Sequence, residues 1–69
     1  MKAQTAVISI QDLTTEAIPP LRQALKAVPG VQNVDFSLER SVAVIEFDGE
    51  QSKIDDLLRA VLKAGYQLT

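Results

Sequence analysis

Two segments of alternating apolar and polar residues lie in the middle of the chain, and only two residues separate them. The apolar positions are Val34, Phe36 and Leu38 in residues 31–38, and Ala43, Ile45 and Phe47 in residues 41–48. A period of two is typical of strands that bury one face. Because Glu39-Arg40 is the whole connection, the two strands are predicted to form an antiparallel hairpin.

The hairpin is flanked on each side by a strand pattern and a helix pattern. Residues 3–10 bury a face of Ala6, Ile8 and Ile10, and residues 19–28 carry Leu21, Ala24, Leu25 and Val28 at helical spacing before Pro29-Gly30. Ser52-Lys53-Ile54-Asp55 has the spacing of a capping box and precedes a stripe of Ile54, Leu57, Leu58, Val61 and Leu62. After Gly65, Tyr66 and Leu68 are expected to begin a last short strand.

The order of elements is therefore βαββαβ, with Leu25-Lys26-Ala27 echoed by Leu62-Lys63-Ala64 in the second half. This order predicts one α+β domain over residues 1–69 with the ferredoxin-like arrangement. Both helices should cover one face of a four-stranded antiparallel sheet. The other face, which includes Val7, Val42 and Val44, should meet solvent or a partner, and a weak homodimer through it is an alternative to a monomer.

Composition excludes several functions. The 69 residues carry a net charge of −2, which argues against nucleic acid as a partner. No apolar run is long enough for a membrane span or a signal peptide, so a cytoplasmic protein is expected. The chain has no cysteine and no histidine, and no residue pattern assembles a nucleophile with a base. We expect no enzyme activity and no cofactor.

The pattern resembles the heavy-metal-associated domain family of copper chaperones and metal-ATPase N-terminal domains. The segments that carry the resemblance are residues 24–31, Val34-Asp35-Phe36, residues 43–48, residues 57–61 and Ala64-Gly65-Tyr66. The family's signature is two cysteines three residues apart in the first loop, and counting back from Val31 places these positions at Thr14 and Ala17. Soft metals need thiolate or imidazole ligands, so the resemblance implies the family fold with a degenerate metal site.

Pro19-Pro20 is a second departure from the family pattern. Proline disfavours helical geometry in the residue before it, so the first helix should begin near Pro19 or Pro20, and the loop of residues 11–18 should be reshaped. The alternative is an earlier start with a distorted first turn, capped by Thr15. Because the loop should be reshaped, cysteines at positions 14 and 17 are not expected to give family-like Cu(I) affinity unless the prolines are also replaced.

Three functional hypotheses remain open. The first is a protein-docking or regulatory module that does not carry Cu(I), whose partner would be a metal-transport ATPase or a related domain. Candidate partner contacts are Arg22, Lys26, Arg59, Lys63 and Tyr66, although the cations could equally be solvated, with an Asp55–Arg59 ion pair. The second is an ACT-like small-molecule sensor. The third is a hard-cation binder that uses oxygens of Asp12, Thr14 and Glu16 in the first loop.

Overall fold

The computed structural model describes residues 2–69, which form three strands and two α-helices. The strands are β1 (Ala3–Ser9), β2 (Val31–Ser37) and β3 (Val42–Asp48), and the helices are α1 (Ile18–Lys26) and α2 (Ile54–Lys63). A 3₁₀ turn, Thr15–Ala17, leads directly into α1. The predicted order of the first five elements is confirmed.

The antiparallel sheet has the strand order β1-β3-β2, so β3 is the central strand. Ala6 pairs with Ile45 on one side of β3, and Val34 pairs with Ile45 on the other. The predicted fourth strand does not form in residues 2–69. In its place, Leu68 makes an isolated antiparallel bridge with Ile10 beyond the end of β1.

The core lies between one face of the sheet and the two helices. Its fully buried large side chains are Ile10, Leu21, Leu25, Ile45, Phe47, Leu57 and Val61. The predicted inward faces of β1, β3 and α1 are therefore confirmed. The apolar stripe of α2 is only partly buried, because Ile54 and Leu62 at its margins are 48% and 50% exposed.

The hairpin connection is longer than predicted. β2 ends at Ser37 and β3 begins at Val42, so the turn has four residues and includes Leu38, which is exposed. Ser41 adopts a φ of 57°, in the left-handed region that non-glycine residues seldom occupy. The prediction placed Leu38 at the end of β2 and Ser41 at the start of β3 because the alternation continued to them. In the structure both residues belong to the turn, and the ladder ends at the pair Ser37–Val42.

The helix α1 begins at Ile18, within one residue of the predicted start near Pro19 or Pro20, and the 3₁₀ turn Thr15–Ala17 leads directly into it. Ile18 precedes a proline yet has helical angles (φ −62°, ψ −51°). Pro19 and Pro20 have no N–H groups for α-type bonds to residues 15 and 16, so the preceding turn closes through shorter bonds, in which the N–H of Ala17 donates to the Thr14 carbonyl at 3.0 Å. The distorted turn of the alternative is present as this 3₁₀ turn, but Thr14, not the predicted Thr15, precedes it and makes no side-chain capping hydrogen bond.

The cap of α2 is displaced by one residue from the predicted capping box. Lys53 precedes the helix, and its N–H donates to the Asp56 carboxylate at 2.9 Å, while the N–H of Asp56 donates to the Lys53 carbonyl at 3.0 Å. Asp56, not Asp55, also forms the ion pair with Arg59, at 4.0 Å. Ser52 cannot cap because its buried hydroxyl donates to the Pro29 carbonyl at 2.5 Å and ties the end of α1 to the start of α2.

Asp48, at the end of β3, is a buried carboxylate that joins the chain's N-terminal end to the approach to α2. It accepts hydrogen bonds from the N–H of Glu50 at 3.0 Å, the N–H of Lys2 at 3.1 Å and the side-chain amide of Gln51 at 3.1 Å. The bonds from Glu50, Lys2 and Gln51, in that order, lower the pKa of the Asp48 carboxyl below its usual value, and burial opposes them. Folding therefore favours the ionised form of the Asp48 carboxyl.

Replacing Asp48 with asparagine is expected to lower stability at neutral pH and to have little effect in acid. A carboxyl whose pKa is lower in the folded state stabilises the fold above its unfolded pKa of about 3.9, and this stabilisation is lost as pH falls through the folded pKa. Urea midpoints of the two proteins should differ at pH 7 and converge below about pH 4. The control is Asp55→Asn, on the exposed first turn of α2. A difference that persists undiminished at pH 2 would contradict the assignment.

Candidate functional site

The two degenerate ligand positions lie at the junction of the first loop and α1. Thr14 has extended backbone angles, its side chain is exposed, and it makes no capping hydrogen bond. Ala17 is 4% exposed and belongs to the core cluster. The pair therefore presents one hydroxyl to solvent and one methyl to the core, and neither is a ligand for a soft metal.

The first loop is held in place by Ser41 of the hairpin turn. The N–H of Ile10 donates to the Ser41 carbonyl at 2.9 Å, and the Ser41 hydroxyl donates to the Ile10 carbonyl. The N–H of Leu13 approaches the same hydroxyl at 3.4 Å. No local pattern predicted this role, since Ser41 looked like the first residue of a strand.

Tyr66 and the C-terminal residues lie beside the same loop. Gly65, with a φ of 98°, ends α2, and the half-buried Tyr66 packs against the core. Immediately afterwards, the carbonyl of Gln67 accepts a hydrogen bond from the N–H of Gln11 at 2.8 Å. The placement of Tyr66 agrees with the predicted packing at the helix end, and its part in partner binding stays a prediction.

The oxygen groups of the first loop do not form a built cation site. Asp12, with a φ of 55°, and Glu16 are both exposed. Within residues 2–69, no group of three or more histidine, cysteine, aspartate or glutamate side chains is arranged to hold a metal ion. Calcium requires about six to eight oxygen ligands, far more than two isolated carboxylates supply.

The four candidate cations do not form a single surface. The Arg22 guanidinium lies over the Phe36 ring of β2, 5.7 Å from its centroid. Lys26, one turn further along α1, extends from the same flank. Arg59 and Lys63 instead line a groove on the outer side of the helical layer. The sequence could not separate the pairs, because spacing within a helix does not show which neighbour each flank meets.

The groove between α1 and α2 has a volume of about 600 Å³. Its lining includes four small side chains: Ala24 on α1, Ala60 on α2, and Ala27 and Ala64, each the first residue after its helix. Arg59 and Lys63 stand on the α2 side, and both are exposed.

The outward face of the sheet is mostly polar. Val7 is 66% exposed and pairs with the half-buried Val44, which in turn pairs with Asp35. On the same face, the Asn33 amide donates to the carboxylates of Asp35 at 3.3 Å and Glu46 at 3.2 Å. The apolar area is thus a narrow strip, and a homodimer through this face stays a prediction.

The two α-helices, with nine and ten residues, are too short to cross a bilayer, and no other helix in residues 2–69 could do so.

A family model of the heavy-metal-associated domain matches residues 21–67 of the chain. The mercuric transport protein periplasmic component of Shigella flexneri is 34% identical over 64 residues, which cover 91% of this chain and 70% of that protein. The family match begins after Thr14 and Ala17, so the segment that would hold the ligands lies outside it.

Two solved structures extend the comparison to the fold. Oxidized MerP from Ralstonia metallidurans CH34 superposes with a TM-score of 0.85 and 32% identity, covering 97% of this chain and 94% of that chain. The N-terminal domain of a potential copper-translocating P-type ATPase from Bacillus subtilis, in its Cu(I)-loaded state, gives a TM-score of 0.85 with 25% identity, covering 97% and 85%. The resemblance noted from the sequence is confirmed.

Proposed function

Because the chain belongs to the heavy-metal-associated domain family, we propose that it is a protein-docking module of a metal-transport or metal-homeostasis system that does not itself carry a soft metal. One observation carries the proposal: the family scaffold is kept, while Thr14 and Ala17 occupy the ligand positions and the 69 residues contain no cysteine or histidine. A domain that lacks the metal-binding side chains still keeps the surfaces through which it can bind partner proteins. The proposed role is not enzymatic.

The nature of the partner is inferred from the relatives. One of them is named as a mercuric transport protein, and another is the N-terminal domain of a potential copper-translocating ATPase. A soluble domain of a metal-transport ATPase, or a related domain, is therefore the partner that we propose. Since the family is established, the ACT-like hypothesis is not carried forward, and nothing in the described residues favours the hard-cation hypothesis.

The relatives and the sequence point to different cellular compartments. A cytoplasmic location was predicted from the sequence, whereas the curated relatives are named as periplasmic components. A chain without cysteine has no thiol to protect or oxidise, so its chemistry suits either compartment. The cytoplasm stays a prediction.

Metal binding and docking are tested separately. In anaerobic competition with a chromophoric Cu(I) chelator, and in thermal shifts with Cu(I) and Hg²⁺, the protein is expected to take up no metal and to show no change in Tm, since only a ligand selective for the folded state raises it. The docking arm is an ¹⁵N chemical-shift titration with the soluble domain of the metal ATPase encoded nearest to this protein in its genome. The expected result is a set of shifts confined to one face. Tight Cu(I) or Hg²⁺ binding would refute the first half of the proposal, and unchanged spectra would refute the second.

A further inference from the structure

The sheet has two free edges, and only one of them is protected against pairing with another chain. The strand order β1-β3-β2 leaves β1 and β2 each with one side that no other strand of residues 2–69 pairs with. The edge strand β2 has a register shift between Val31 and Asn33 and a charged residue, Asp35. Bulges and charges are features that keep a free edge from pairing. Strand β1 (Ala3–Ser9) contains no charged residue and no proline, and its ladder with β3 has no register shift, so its edge is open to a further strand.

The hydrogen bonds just beyond the two ends of β1 show which of its residues turn their backbone groups toward β3. The N–H of Ile10 donates to the Ser41 carbonyl at 2.9 Å, and the N–H of Gly49 donates to the Lys2 carbonyl at 2.7 Å. The even-numbered residues therefore bond toward β3. Because bonded and non-bonded pairs alternate along an antiparallel ladder, the odd-numbered residues direct their N–H and C=O groups to the open edge.

Three residues of β1 keep backbone groups at the open edge that nothing else in residues 2–69 pairs with. The carbonyl of Ser9 points the same way and accepts the N–H of Thr69 at 3.2 Å, which confirms the direction of the odd-numbered residues. The other odd-numbered residues are Ala3, Thr5 and Val7, all of them exposed and without such a bond. They are spaced evenly about Thr5. A second β1 running antiparallel, with Thr5 opposite Thr5, would therefore meet all three.

The helix above this edge carries apolar side chains that the fold leaves half exposed. Helix α1 packs against β2, so α2, its neighbour in the helical layer, lies on the β1 side of the sheet. Ala60 of α2 lines the groove toward α1. At about 100° per residue, Ile54 and Leu62 lie on the opposite margin of α2, beyond the buried Leu57, and they are 48% and 50% exposed. A second copy paired at the β1 edge would bring another such margin beside this one.

We infer that two copies of this chain pair through their β1 strands, antiparallel about a twofold axis at Thr5, and join their sheets into one. Ala3 of each copy pairs with Val7 of the other, and each such pair exchanges two main-chain hydrogen bonds. The two α2 helices then run antiparallel on the same side of the joined sheet, which turns Ile54 of one copy toward Leu62 of the other. This interface goes beyond the proposed docking function and does not depend on it.

The composition of β1 favours a second copy over an unrelated strand as the occupant. Residues 3–9 carry no charge, so two copies bring no like charges opposite each other. The axis places Thr5 opposite itself, and Thr–Thr pairs across strands are favourable. The paired surface is one strand and one helix margin, which is at the small end of protein interfaces. The dimer is therefore expected to be weak and to depend on concentration.

A single introduced thiol reports the pairing, because the chain has no cysteine of its own. Thr5→Cys should form an intermolecular disulfide under mild oxidation, since directly paired residues have Cα atoms about 5.5 Å apart, within reach of a disulfide. Ser9→Cys is the matched control on the same strand, also at an exposed position. In the inferred register its two copies are roughly 26 Å apart along the strands, so it should cross-link at least about tenfold more slowly.

Sedimentation equilibrium measures the association itself. As the concentration of the native chain rises from about 10 μM to about 1 mM, the average mass should rise from 7.5 kDa toward twice that value. Thr5→Lys places two like charges at the axis and should weaken the dimer at least roughly tenfold. Gln32→Lys makes the same charge change on β2 and should alter it less than about twofold. Circular dichroism checks that each variant is folded.

Amide hydrogen exchange gives a readout that needs no variant. The N–H groups of Ala3, Thr5 and Val7 should gain protection as the native chain is concentrated, whereas that of Ala6, which already bonds to β3, should not change. A monomer mass at every concentration, equal cross-linking of the two cysteine variants, or equal weakening by the two lysine variants would overturn the inference. A monomer that instead binds an extended peptide along β1 would assign this edge to another protein and would overturn it as well.

Discussion

The Thr14→Cys, Ala17→Cys double variant is expected to bind Cu(I) at least about a thousandfold more tightly than the native chain, a gain of about 4 kcal/mol in binding free energy. Two thiolates supply the soft ligands that are missing. Competition with a chromophoric Cu(I) chelator under anaerobic conditions measures the gain. A matching rise in Tm should follow when Cu(I) is added, because the metal binds the folded state.

The start of α1 is the reason for this expectation. The sequence alone predicts that Pro19-Pro20 reshapes the loop, which would leave the introduced thiols misplaced. In the structure the prolines are accommodated by the 3₁₀ turn, and Thr14 and Ala17 remain in one tight turn, joined by the 3.0 Å bond from the Ala17 N–H to the Thr14 carbonyl. The side chain at position 17 lies at the core, so its thiol must turn outward to share a metal with the exposed thiol at position 14. A thiolate at this point also lies at a helix N-terminus, which lowers its pKa.

Two controls separate a vacated site from a reshaped one. Thr14→Cys alone provides one thiolate and should show only a small part of the gain. Adding Pro19→Ala to the double variant should change its affinity less than about tenfold, or about 1.4 kcal/mol. If tight binding appears only after the proline is replaced, then the loop is reshaped in the way that the sequence suggested.

Gly30→Ala is expected to lower the free energy of unfolding by about 3–4 kcal/mol, combining left-handed backbone strain with overpacking. Gly30 has a φ of 85°, and a Cβ there would lie 2.9 Å from Cβ of Gln51 and 3.3 Å from Cβ of Asp48. Its carbonyl also accepts the N–H of Asp48 at 2.9 Å, so the backbone cannot withdraw without breaking that bond. Urea unfolding followed by circular dichroism measures the loss.

Gly65→Ala is the matched control. Gly65 also has a positive φ, of 98°, but a Cβ there would meet no atom within 4 Å. Only the backbone strain remains, so the expected cost is about 1–2 kcal/mol. Equal losses in the two variants would show that strain alone matters at Gly30. A domain of this size has a stability of only a few kcal/mol, so Gly30→Ala should be substantially unfolded under mild denaturing conditions.

Periodicity predicted the faces of the elements well, because burial follows side-chain direction. Ala43, Ile45 and Phe47 are all fully buried, as their period of two required. Periodicity does not show how many strands the sheet contains, or how much of a helix's apolar stripe the sheet covers. Residues 67–69 add a single bridge beyond β1 instead of a strand, and Ile54 and Leu62 remain about half exposed.

Local rules failed where a distant group competes for the same atom. Ser52 has the right spacing to cap α2, but its hydroxyl bonds to Pro29, 23 residues earlier. Ser41 fits a strand by alternation, yet it anchors the first loop, 31 residues away at Ile10. Such contacts depend on the tertiary fold and leave no local pattern. The degenerate site could be predicted because it depends on residue type, whereas the groove could not because it depends on how the two helices pack.

The central position of β3 has a consequence for the synthesis of the chain. Of the three strands, β1 is made first, but its ladder partner β3 begins at Val42, so Ser9 pairs with a residue that is added 33 positions later. At translation rates of about 5–20 residues per second, the nascent strand spends roughly 2–7 seconds without its partner. Thr5 and Ser9 lie on the face of β1 opposite Ala6 and Ile8 and make that face partly polar while the strand is unpaired. The strands β2 and β3 are close in the chain and can form their hairpin as soon as both are synthesised. The strand β1 can then pair with the free edge of β3.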